Sequence, residues 1–107
     1  MISVNEKSPL FMTIVFKDEL GDPLIPTSVE WRLDDKTNGT EVVAWTTIPG
    51  PASIMNFTIP SDNNAIEDET NVRETQIFGI RVDEGGPGEG HEEFEYSVIN
   101  LTGPIGP

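Results

Sequence analysis

Apolar and polar residues alternate with a period of two along most of this chain, and turn-forming residues interrupt the alternation roughly every eight to twelve positions. Residues 10–17 set Leu10, Met12, Ile14 and Phe16 on one face, with Phe11, Thr13, Val15 and Lys17 on the other. Both faces are partly apolar, which predicts a strand covered on more than one side. Residues 28–34 oppose Val29, Trp31 and Leu33 to Glu30, Arg32 and Asp34. Residues 41–47 carry Val43 and Trp45, and residues 52–59 direct Met55, Phe57 and Ile59 inward. Residues 75–82 place Phe78, Ile80 and Val82 together, and residues 91–100 alternate Phe94, Tyr96 and Val98 with Glu93, Glu95 and Ser97. A short edge strand over residues 2–4 precedes the break at Lys7-Ser8-Pro9.

The punctuation agrees with strands. Gly21-Asp22-Pro23 marks a turn, and Asn38-Gly39 suits the positive φ angles of a tight hairpin. Pro49 and Pro51 cannot sit in a ladder, and Pro60 ends the following strand. Residues 61–68 are the one helix-like stretch, with Ser61 as a cap and Ile66 plugging the core. The expected fold is all-β: an immunoglobulin-like (fibronectin III-like) sandwich of about seven antiparallel strands, one domain over residues 1–107, with 103–107 as a flexible tail. Trp31 falls on the third strand, where such folds often place a central tryptophan. The expected core is Phe16, Trp31, Leu33, Phe57, Phe78, Ile80, Phe94 and Tyr96.

Composition narrows the function. Nineteen acidic against six basic residues give a net charge of −13, which disfavours nucleic acid and anionic membrane surfaces as partners. The absence of cysteine excludes thiol chemistry and disulfides. Residues 1–16 lack the form of a signal peptide, and no apolar run approaches the roughly 20 residues of a membrane span. The expectation is a protein made in the cytoplasm, or a piece of something larger.

No catalytic constellation is legible. His91 is the one histidine, beside Glu92 and Glu93, and reads as a solvated residue at a strand start. The acids lie in turns and on outward strand faces, and read as a solvated surface. No cofactor is expected. Calcium is the ion best suited to the acidic turns, which are Asp18, Glu19 and Asp22, then Asp34 and Asp35, then Asp83 and Glu84, but none matches an EF-hand. The glycine-rich loop 83–90 lacks the lysine and following helix of a phosphate loop, and reads as a hairpin tip whose Gly86 and Gly88 offer a contact surface. The sequons at Asn38, Asn56 and Asn100 read as chance.

The segments Phe16–Asp35, Asn38–Thr46 and Phe94–Gly103, with Ala65-Ile66 before the sixth strand, resemble small immunoglobulin-like proteins of tailed bacteriophages and prophages. The resemblance implies a non-enzymatic virion protein, made in the host bacterial cytoplasm. Such a protein would serve as head decoration, neck or tail component and bind other virion proteins or copies of itself. No site motif carries over. The segments expected to touch neighbours are Ile2 and Val4 at one end, Leu101 and Ile105 at the other, the loop glycines Gly86 and Gly88, and Trp45. A recognition module for a receptor or carbohydrate is the alternative, with Trp45 and Phe11 as its aromatic platform.

Overall fold

A computed structural model describes residues 2–18, 20–83 and 89–101, with Glu89 and Gly90 described in the backbone only. Among these residues seven strands form: β1 (Ile2–Asn5), β2 (Leu10–Val15), β3 (Ser28–Asp35), β4 (Thr40–Thr47), β5 (Ile54–Ile59), β6 (Arg73–Asp83) and β7 (Glu89–Ile99). Five make a mixed sheet in the order β1-β7-β6-β3-β4, and β2 pairs with β5 in a second sheet. The chain is therefore all-β, and the two sheets share a core in the manner of a β-sandwich.

Register turns the period-two pattern into that core. Trp31 lies opposite Ile80, Leu33 opposite Phe78, and Gln76 opposite Tyr96, so the alternating sets of β3, β6 and β7 share one face. Val29, Leu33, Tyr96 and Val98 are fully buried there, and Leu10 and Ile59 meet them from the small sheet. The rings of Trp31 and Phe57 meet edge-on at 4.9 Å between centroids, and Phe57 lies 5.6 Å from Phe78. Ring pairs at this spacing add roughly 0.5–1.5 kcal/mol each beyond area burial. Ile66 plugs the core as its spacing suggests.

Several expectations are corrected. β1 runs parallel to β7, with Ile2 opposite Tyr96 and Val4 opposite Val98, so the strands are not all antiparallel. The chain leaves β1 through a turn at Glu6–Lys7, where Lys7 takes φ 57 and its N–H donates to the Asn64 carbonyl. It then crosses to the other sheet at Pro9, which stops β1 and β2 from pairing. Residues 36–39 make a four-residue hairpin loop in which Gly39 alone has positive φ, so Asn38 does not form the two-residue turn. Residues 61–68 hold only a 3-10 turn, Ser61–Asn63, entered through Pro60 with no side-chain cap. Phe94 is not a core residue; its ring remains 38% exposed because no strand of the small sheet lies over it.

Candidate functional site

The two sheets are unequal in width, and that inequality creates the main concavity. With strands roughly 4.8 Å apart, five strands span about 19 Å and two span about 5 Å. β5 sets Phe57 over Trp31 and Phe78, while among the described residues the opposite edge of β2 has no neighbour. Beyond that edge the inner face of the large sheet opens into a groove of about 470 Å³. Met12 and Ile14 form one wall, Phe78 and Ile80 the floor, and Ile2 and Phe94 the far side, with Glu92 on the rim; Glu93, opposite Gly79, belongs to the outer face. A second hollow of about 210 Å³ shares Val15, Ile80 and Glu92 with it and ends at Lys17 and His91. The combined groove follows β2 from Phe11 to Val15 and continues to Lys17.

The outer face of the large sheet holds a polar hollow of about 290 Å³ around Gly79. Trp45, two strands away on β4, lays its indole over the space that Gly79 leaves open. The Arg81 guanidinium stacks 4.2 Å from the ring centroid, and His91 meets the indole edge-on at 5.8 Å. Arg81 is also paired with Glu30 at 3.0 Å. Arg32 grips Asp34 through two hydrogen bonds of 2.7 and 2.8 Å and reaches Glu41 at 3.1 Å. Trp45 is thus half-buried with one ring face occupied, not an open platform, whereas Phe11 is 73% exposed.

Not all the acids form a solvated surface. Asp35 and Glu74 are each 1% exposed at one end of the sandwich. Asp35 accepts from the Asn38 backbone N–H at 3.0 Å and side chain at 2.8 Å. Glu74 accepts from the backbone N–H groups of Glu67 and Asp68 and from the side chains of Asn38 and Asn71. These donors stand in for the water that a buried carboxylate loses. Beside them Tyr96 places its hydroxyl between the side-chain oxygens of Asn64 and Gln76.

The expected contact residues do not converge. Ile2 stands at the mouth of the groove, Val4 packs on the core, and Trp45 lies on the opposite face of the same sheet. Leu101 is exposed at the end of β7, its N–H donating to Glu6. Gly86, Gly88 and Ile105, with Glu19 and Glu84 of the acidic turns, lie outside the described residues. Asp18 accepts from the N–H groups of Leu20 and Asp22, which is ordinary turn chemistry. Asp34 and Asp35 point to opposite faces of β3, one to Arg32 and one to Asn38. Among the described residues no three His, Cys, Asp or Glu side chains are gathered so as to hold a metal ion. The side-chain amides of Asn38 and Asn100 already donate inside the fold, and Asn56 alone of the three sequon asparagines is exposed.

The chain matches no family model, no curated protein and no solved structure. The groove therefore rests on its own geometry. Sequence reading named Ile2 and Phe11 separately but did not join them with Phe94 and Glu92. The signal that could have done so was the doubly apolar pattern of residues 10–17, which asks for cover on both sides of β2.

Proposed function

We propose that the chain is an immunoglobulin-like module of a tailed bacteriophage particle, a head, neck or tail subunit that acts through protein–protein contact and performs no catalysis. The observation that carries the binding role is the apolar groove along the bare edge of β2, where Ile2, Phe11, Val15 and Phe94 remain exposed. Isolated surface apolar residues need no explanation, but a contiguous apolar strip beside an unpaired strand marks an interaction surface. The immunoglobulin-like assignment draws support from the strand order. β2 and β5 face β7, β6, β3 and β4, as strands B and E face G, F, C and C′ in such sandwiches, and Trp31 occupies the third strand. The phage setting rests on the resemblance of the segments named above.

The test is direct. Tailed particles produced by the bacterium that encodes the chain, purified by density gradient and analysed by mass spectrometry, are expected to contain it in many copies. Particles that lack it would overturn the virion assignment.

A further inference from the structure

We propose that the groove receives an extended segment of a basic partner protein, which adds as a third strand to the free edge of β2. This rests on the reading of the chain as a protein-binding module and specifies how it binds. A strand set one spacing from β2, about 4.8 Å away, would lie over Phe94 and Ile2, which are 38% and 53% exposed for want of such cover. β2 offers six residues of backbone, so the segment it pairs with is of similar length. Main-chain bonds to β2 would supply affinity, and alternate side chains would enter the groove over Phe78 and Ile80.

Charge selects the occupant. Glu92, opposite Ile80 on the inner face, lines the groove, and among the described residues no salt bridge engages it. The chain as a whole carries −13, so a second copy would bring like charge to the same rim. The chain's own last residues, Thr102 to Pro107, contain two prolines and two glycines in six positions and are poor ladder partners. An apolar segment flanked by lysine or arginine, from another protein, meets both the groove and its rim.

The probe is a short peptide alternating valine and threonine with lysine at both ends, titrated into the full chain and followed by residue-resolved amide hydrogen exchange. At a peptide concentration about ten times Kd, the amides of β2 are expected to gain roughly tenfold protection. A fully N-methylated peptide of the same charge should give none at β2, because it cannot complete the ladder. Replacing the terminal lysines by glutamate, or making Glu92→Lys in the protein, should weaken binding of the unmatched pair by roughly tenfold or more, and combining the two should restore it. Protection elsewhere but not at β2, or equal protection by the N-methylated peptide, would overturn strand addition. Particles that contain the protein, with no protection of β2, would sink strand addition while the module reading stands. Protection of β2 with particles that lack the protein would do the reverse.

Discussion

Tyr96 holds one phenolic proton between two amide oxygens, Asn64 Oδ1 and Gln76 Oε1, each 2.5 Å away. Neither amide can turn to help, because Asn64 Nδ2 donates to the Ser8 carbonyl and Gln76 Nε2 to that of Asn63. Burial pushes the phenol far above its usual value, so it stays a donor at every accessible pH. Tyr96→Phe would leave two buried oxygens without a donor, and we expect a loss of about 1–3 kcal/mol. The check is urea unfolding, with a lower midpoint at unchanged slope; an equal midpoint would mean that the amides find other donors. Asp35 obeys the opposite balance. Burial pushes its carboxyl up, but hydrogen bonds, led by those from the Asn38 side chain and backbone and joined by those with Glu67 and Glu74, outweigh that and hold it below the ordinary 3.8. A lowered folded pKa means stability that is present above 3.8 and lost as pH falls through the folded value. The stability difference between the protein and Asp35→Asn should therefore be flat from neutrality to about pH 5 and shrink below about pH 4. A difference that stays flat to pH 2 would refute this. Alternation places Tyr96 inward from sequence alone. Its two amide partners lie 32 and 20 residues away, where no local pattern points to them. Asp35 continues the inward series of Val29, Trp31 and Leu33, yet its charge argues for the surface, and the hydrogen bonds it makes inside the fold, those from Asn38 foremost, resolve the conflict.

At the scale of elements, the outer face of the large sheet shows how a strand can be read correctly and its side chain misplaced. Trp45 sits on β4 as the alternation requires, with edge exposure and burial under the other sheet both open to it. The structure takes neither course, since the indole crosses β3 and rests over β6 at Gly79. Gly79 interrupts the apolar run Ile77-Phe78-Gly79-Ile80, and glycine inside a strand often marks close approach by another group. Its backbone does not need to be glycine. A Cβ there would meet Trp45 Cη2 at 3.7 Å, His91 Nε2 at 3.9 Å and Arg32 Cγ at 4.0 Å, all ordinary contacts. Gly79→Ala is therefore expected to stabilise the protein by about 0.4–1 kcal/mol through a less flexible unfolded chain. Thermal unfolding reads this directly, and a destabilised variant would show that the indole cannot tolerate even a methyl beneath it. β2 teaches a different lesson. Its apolar outer face predicted cover, and among the described residues Phe11 and Val15 lack it; its edge lacks a neighbour there too, since pairing order decides which strands acquire one and single-strand patterns do not encode it.

For the whole molecule, the open edge of β2 and the net charge belong to one account. A bare strand beside an apolar groove is a template for pairing with another copy, and natural sheets guard such edges with charge. Here Glu92 stands at the groove, and each copy carries −13. That guard is electrostatic and so depends on salt: the screening length is about 8 Å at 0.15 M and about 3 Å at 1 M. At physiological ionic strength two copies still repel, and the protein should scatter light as a monomer of 11.7 kDa. In 1 M sodium chloride the repulsion is largely removed while the apolar strip is unchanged. The weight-average mass should then rise with protein concentration. Val15→Lys, which places a charge on an exposed position of β2, should abolish the rise without unfolding the protein. A mass fixed at the monomer in 1 M salt would remove net charge as the guard of the edge. Association equal in Val15→Lys would move the contact away from β2. A salt-dependent rise that Val15→Lys abolishes would show that charge alone keeps this edge open, available to a partner whose sign is opposite.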